Sequence, residues 1–293
     1  MRGGPSRPSP LPPLLYEGLL RAALAEDLGR AGDLTTDAVA APGAVAAGEL
    51  VARQEGCVAG LGVALAAFRL LDPELREEWR AGDGDWVPAG TALARIEGSA
   101  RALLAAERVA LNVLGRLCGI ATATRRLVDA VAGSDARIVC TRKTTPGLRA
   151  LEKYAVRAGG GVNHRFGLDD AVLVKDNHLA LAGGVREAVA RVRRRVGHLV
   201  KIEVEVDTLE QLDEALACPI DAVLLDNMSL DALGEAVRRA GGRVVTEASG
   251  GITLQSAPAI AATGVDLLSV GWLTHSAPAL DVAFDLDAPV AGA

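Results

Sequence analysis

Apolar residues recur at helical spacing from Leu14 to Leu28 and give way at Gly29, which predicts a first helix with a glycine stop. Ala44 to Gln54 alternates apolar and polar positions in the manner of a strand. Leu61 to Leu71 carries the helical period again, until Asp72 and Pro73 end it. The stretch from Trp79 to Glu97, with GDGDWVPAG inside it, is punctuated by turn residues. Runs of helix and strand without a repeat predict an α+β unit. Arg101 to Ala132 then reads as a long, mostly helical connector between two domains, interrupted near Gly115 and Gly119.

From Ala136 the pattern changes. Short apolar runs at Arg137–Cys140, Ala171–Lys175, Val200–Val206, Ala222–Asp226, Arg243–Glu247 and Asp266–Val270 alternate with helical stretches, as parallel strands with crossover helices do. Gly161 to His164 is the place for a hidden seventh strand. A (β/α) barrel and an open doubly wound sheet both fit this alternation. The barrel is favoured because Thr141, Arg142, Lys143, Lys175, Asp176, Glu205, Asp226 and Ser249 fall at or near the C-terminal ends of several strands, where barrel enzymes gather their chemistry. An open sheet would concentrate them at one switch point.

Composition narrows the class. The chain has 293 residues, 50% hydrophobic and 23% charged, which excludes disorder throughout and leaves room for two unequal domains. A net charge of −6 argues against nucleic acid or an anionic membrane as partner, because both need a basic face. Prolines in MRGGPSRPSPLPP make residues 1–13 read as a disordered tail rather than a secretory leader. The longest nearly uncharged run, Gly56 to Phe68, is too short for a hydrocarbon core of ~30 Å. Cys57, Cys118, Cys140 and Cys218 lack metal spacing and read as buried reduced thiols of a cytoplasmic protein.

Charge is unevenly placed. The window Arg137 to His178 holds eight basic side chains against four acidic ones, a net of +4 that leaves −10 for the rest of the chain. A cationic site inside an acidic protein suits a small polyanionic substrate. Arg149, Lys153 and Arg157, four residues apart, read more simply as a solvated helix face. Arg142, Lys143 and Lys175 directly follow or finish apolar strands, so their charge is aimed at the mouth. His164, between Asn163 and Arg165, is either a hydrogen-bonded structural residue or an anion contact. Glu205 and Asp226 at strand ends are suited to ligating Mg2+ or facing a developing positive charge, or one of them balances Lys175. Glu203 shares a strand face with Glu205 and is another candidate counter-ion. Glycine-rich ends at EASGGI and SVGWLTHSA would let backbone N–H groups approach a phosphate.

Taken together, EDLGRAGDLTTD, ERVALNVLGRLCGIAT, CTRKTTPGLRALEKYAV, GGGVNHRFGLDDAVLVKDNH, KIEVEVDT, AVLLDNM, EASGGI and SVGWLTHS resemble the quinolinate phosphoribosyltransferase family from about Glu26 to Asp285. The resemblance implies transfer of phosphoribosyl from phosphoribosyl pyrophosphate to quinolinate, with decarboxylation to nicotinate mononucleotide. It implies that Arg142, His164, Arg165 and Lys175 hold quinolinate, and that Lys143 serves the pyrophosphate end. Glu205 and Asp226 would ligate Mg2+ and face the ribose, and Ser249, Gly250, Gly251 and Gly271 would cradle the 5-phosphate. Arg108 of ERVALN would complete the site of a partner subunit, in a homodimer or a hexamer built from dimers.

The implied fold is type II phosphoribosyltransferase-like. It combines an N-terminal α+β sandwich domain of residues 14–118, joined by the segment 276–293, with an open (β/α) barrel of residues 119–275. The rivals are a phosphoribosyltransferase-like protein of molybdenum loci, a non-catalytic sensor of anionic metabolites, and an enzyme for plain nicotinate.

Overall fold

The apolar stripe of Leu61–Leu71 forms a helix over those residues, and Leu61, Val63, Ala64, Leu65, Ala67 and Phe68 are buried along it. In the computed structural model, which describes residues 8–287, the chain divides into two compact units. Residues 1–7, most of the expected tail, lie outside the described residues, and Pro13–Leu15 form a short 3-10 turn.

The first unit comprises Met1–Arg125, Thr144–Gly160 and Thr274–Ala293. Its helices are α1 (Glu17–Leu28), α2 (Leu34–Val39) and α3 (Leu61–Leu71), and its strands are β1 (Val45–Ala52), β2 (Gly56–Cys57), β3 (Arg76–Trp79), β4 (Trp86–Val87) and β5 (Ala92–Ser99). The C-terminal strand Val282–Leu286, β1, β5 and β3 lie side by side in that order as an antiparallel sheet, and β2 pairs with β4. Phe68 of α3 meets Phe284 of the returning strand at a ring-centroid distance of 5.9 Å. Asp83 caps α3 from outside the helix, accepting from the backbone N–H groups of Gly60 (2.9 Å) and Leu61 (3.2 Å).

Helix α4 runs without a break from Ala100 to Ala130, so the expected interruption at Gly115 and Gly119 is absent. The two glycines serve packing instead. A Cβ at Gly115 would stand 2.8 Å from the carbonyl oxygen of Leu280, and one at Gly119 would strike that of Pro278, so the glycines let the returning segment lie directly on the helix.

The expected barrel span of residues 119–275 needs a correction, because Thr144–Gly160, with helix α5 (Arg149–Ala158), belongs to the first unit. Polar contacts explain this. Tyr154 donates to Asp83 at 2.5 Å, Arg125 donates to the Gly159 carbonyl at 3.1 Å, and buried Glu152 pairs with Arg116 at 2.8 Å.

The second unit, Arg126–Lys143 and Gly161–Leu273, holds the parallel strands β6 (Arg137–Val139), β7 (Val172–Val174), β8 (Ile202–Val206), β9 (Ala222–Asp226), β10 (Val245–Ser249) and β11 (Leu267–Ser269). They are ordered β6-β11-β10-β9-β8-β7. A parallel bridge from Val139 to Val162 adds the hidden seventh strand as a single residue pair beside β6, and among the described residues no pairing joins it to β7. The barrel is therefore open on that side. Its crossover helices include Leu209–Leu216 and Leu230–Ala240, capped by Thr208 and Ser229 through their side-chain oxygens. Among the described residues no helix is long and apolar enough to cross a membrane.

Strand β10 lies two residues later than the expected Arg243–Glu247. Arg243 instead donates to the carbonyls of Ala240 and Arg239 at the end of the preceding helix. This shift centres Glu247 in the strand and puts Ser249 at its C-terminal end.

Candidate active site

Parallel register brings the polar strand ends together. Leu173 stands opposite Glu203, Glu205 opposite Leu224, Leu224 opposite Glu247, and Asp226 opposite Ser249. With side chains alternating along a strand, Glu205 and Ser249 lie toward the C-terminal mouth, and Glu203 and Glu247 one layer deeper. At the mouth, Lys175 Nζ lies 2.8 Å from Glu205 Oε2, so Glu205 rather than Glu203 is its counter-ion. The backbone N–H of Lys175 donates to His178 Nδ1 at 2.9 Å, which fixes the start of the helix behind it.

Asp226 Oδ2 accepts from Asn227 Nδ2 at 2.7 Å. Asn227 has a positive φ of 52°, and its N–H reaches the Ser249 carbonyl at 2.9 Å. Gly250 follows at φ +98°, where any Cβ would strike Asn227 Oδ1. The ends of β9 and β10 are thus locked together, and Gly251 beside them is exposed backbone at φ +58°. Gly271 sits just past β11.

Arg142 and Lys143 follow β6, Lys143 exposed and Arg142 half-buried, with the N–H of Lys143 held by the Thr141 hydroxyl at 3.0 Å. Arg165 donates to the Ala171 carbonyl at 3.0 Å. Burial, followed by the neighbouring Arg142 charge, moves the Arg165 guanidinium below its ordinary value, which places two cations close together.

His164 is the junction of the deeper layer. Its Nδ1 accepts the backbone N–H of Arg165 at 2.8 Å, so the ring proton sits on Nε2, which lies 2.8 Å from Glu203 Oε2 and 3.7 Å from Glu247 Oε1. Both ring nitrogens are engaged inside the chain. Burial opposes the charged ring, but the bond to Glu203 and the Glu247 charge outweigh it and raise the His164 value. Glu247 is 1% exposed, and burial, then the Glu203 charge, push its carboxyl up to about 7.

Sequence reasoning did not single out Glu247. The signal was its place two residues before Ser249, which shares its strand face. Arg108 lies on α4 in the first unit, its side chain 64% exposed, with Glu107 at 3.7 Å.

Two family models, described as the N-terminal and C-terminal domains of quinolinate phosphoribosyl transferase, match residues 33–118 and 120–285. The chain belongs to the quinolinate phosphoribosyltransferase family. It is 46% identical over 273 residues to a probable nicotinate-nucleotide pyrophosphorylase (carboxylating) of Bacillus subtilis, covering 93% of this chain and 94% of that one. With the nicotinate-nucleotide pyrophosphorylase (carboxylating) of Mycobacterium leprae it shares 47% over 275 residues, 91% of this chain and 95% of the other. The solved structure of the Francisella tularensis nicotinate-nucleotide pyrophosphorylase superposes with a TM-score of 0.91 at 37% identity, over 97% of this chain and all of that one. The family thus covers both units, and its fold is the one described above.

Proposed function

We propose that the chain transfers the phosphoribosyl group of phosphoribosyl pyrophosphate to quinolinate, releasing pyrophosphate and CO2 and forming nicotinate mononucleotide. It is a pentosyltransferase of NAD biosynthesis. The observation that carries the reading is the barrel mouth itself. Four cations, Arg142, Lys143, Arg165 and Lys175, stand on the loops and strand ends of a unit whose β8 carries Glu205 one residue before its end and whose β9 ends in Asp226. Two ring carboxylates and a pyrophosphate need that density of donors. Ser249, Gly250, Gly251 and Gly271 offer backbone donors and a hydroxyl to the 5-phosphate.

The donor set fits Mg2+. Lys175 takes one oxygen of Glu205 and Asn227 one of Asp226, which leaves Oε1 and Oδ1 without a partner among the described residues. Two hard carboxylate oxygens completed by substrate oxygens are the usual Mg2+ arrangement. Bound there, the ion would neutralise charge on the departing pyrophosphate. The residues do the rest: Arg142 and Arg165 orient the ring carboxylates, Lys143 faces the leaving group, and the acidic pair favours the oxocarbenium-like ribose.

Exposed Arg108 supports a homodimer in which each subunit completes its partner's site. Cys57, Cys118, Cys140 and Cys218 form no disulfide among the described residues, which supports a cytoplasmic setting, although Cys218 is half-buried rather than buried. The molybdenum-locus rival is not favoured, because the relatives 46% and 47% identical over more than nine-tenths of the chain are nicotinate-nucleotide pyrophosphorylases by name. A sensor would bind without turnover. Purified protein given quinolinate, phosphoribosyl pyrophosphate and Mg2+ should release pyrophosphate and nicotinate mononucleotide in equal amounts, and binding without product would sink the proposal.

A further inference from the structure

We propose that Glu203 and Glu247 are positioning residues which, through His164, fix the Arg165 backbone and so set the carboxylate-binding side of the barrel mouth. The inference rests on the function proposed above and names residues that function does not require to touch substrate.

Three strands or strand-like segments converge here without any main-chain pairing among them: His164 beyond the Val162 bridge, Glu203 on β8 and Glu247 on β10. One ligand atom from each lies within 4.8 Å of the others. Two carboxylates this deep are costly unless each is satisfied or neutral. Glu203 meets the cost through the His164 Nε2–H. Glu247 takes a hydrogen bond from the Ser269 hydroxyl, but its Oε1 is buried with no hydrogen-bond partner among the described residues.

A neutral Glu247 lowers this cost, since no second charge is then buried and one negative charge remains for the cluster. That charge is felt at Arg165, where Asp170 and then Glu203 favour the charged guanidinium against the push of Arg142. Two like cations can then stand together before any substrate arrives. The imidazole transmits the geometry: one nitrogen is tied to the acid layer and the other to the Arg165 N–H, so ring and loop move together. A core that merely filled space would place hydrocarbon at these positions at lower cost.

The test is a KM split. Glu203→Gln keeps the shape and removes the charge, and should raise KM for quinolinate about tenfold while KM for phosphoribosyl pyrophosphate stays within about twofold. Glu247→Gln, which imitates the neutral acid, should raise KM for quinolinate less than Glu203→Gln does. His164→Gln, which cuts the link between the acid layer and the Arg165 N–H, should show the same split and stands in if Glu203→Gln folds poorly. KM values that rise together, or a quinolinate KM that does not move in variants with wild-type melting, overturn the positioning role. A wild type that makes no product from quinolinate overturns the function itself, a different failure.

Discussion

Lys175 Nζ lies 2.8 Å from Glu205 Oε2, so the cation proposed to meet the substrate is already held by the carboxylate proposed to meet the metal. The pair is open to solvent on the lysine side, which is 46% exposed, and such pairs contribute only about 0 to 1 kcal/mol to stability. Glu205→Gln should therefore lower kcat by two orders of magnitude or so while the melting temperature stays within a few degrees. Steady-state rates and a thermal scan on the same preparation check this. Unfolding or aggregation of the variant would make the carboxylate structural.

Substrate charge gives the next expectation. Arg142, Arg165 and Lys175 are assigned to two ring carboxylates, and a hydrogen bond to a charged group contributes roughly 1.5 to 3 kcal/mol. Nicotinate, with one carboxylate, should be used at least about tenfold less well than quinolinate in kcat/KM. Equal use of the two acids would show that these cations face something else.

Glu152 has no exposed surface and accepts from Arg116 Nη2 at 2.8 Å, Arg116 Nε at 3.2 Å, Thr145 N at 3.0 Å and Thr145 Oγ1 at 2.8 Å. Arg116 also reaches the carbonyls of Thr274 and Ala277. Removing one member strands the other, which for a buried pair costs about 3 to 5 kcal/mol. Arg116→Ala should shift the urea midpoint accordingly, and Thr145→Val should cost far less because Glu152 keeps its arginine. If Arg116→Ala melts like wild type, the pair is not holding α5 in place.

How legible all this was in the sequence follows from range. The helix Leu61–Leu71 and the strand Ala222–Asp226 are read to the residue, because period and stop signals are local. The unbroken α4 was hidden because Gly115 and Gly119 look like helix breakers until the returning segment is laid on them. The placement of Thr144–Gly160 turned on single contacts such as Tyr154 to Asp83, 71 positions apart, which no periodicity shows. In the site, charged residues at or near strand ends marked Lys143, Lys175, Glu205 and Asp226. In the layer below them Glu203 was read only as a counter-ion and Glu247 escaped notice, because their meeting depends on register across β8 to β10 and on the His164 segment.

Stability should depend on pH through that layer. Glu247 is raised from 4.5 to about 7 in the folded chain, so between those values the native state holds more protons than the unfolded one. Stability contributed by the bound proton is present at low pH and is lost as pH rises toward 7. The melting temperature should fall from about pH 5 to about pH 8, and Glu247→Gln should flatten that slope. A slope unchanged in the variant would place the titration elsewhere.

Arg108 carries the last expectation. It is exposed on α4 of the first unit and is proposed to serve the neighbouring subunit. An Arg108→Ala protein and a Lys143→Ala protein should each be nearly inactive, since every site in either homodimer lacks one residue. In a hybrid dimer the site built on the Arg108→Ala chain keeps its own Lys143 and receives the partner's intact arginine. The other site carries both lesions. Random exchange makes about half of the dimers hybrid, each with one working site, so co-refolded mixtures should recover roughly a quarter of wild-type activity. Mass spectrometry of the refolded dimers establishes that exchange took place. With exchange established, activity that stays at the level of the parents would mean that Arg108 works within its own chain, and that each subunit's site is complete by itself.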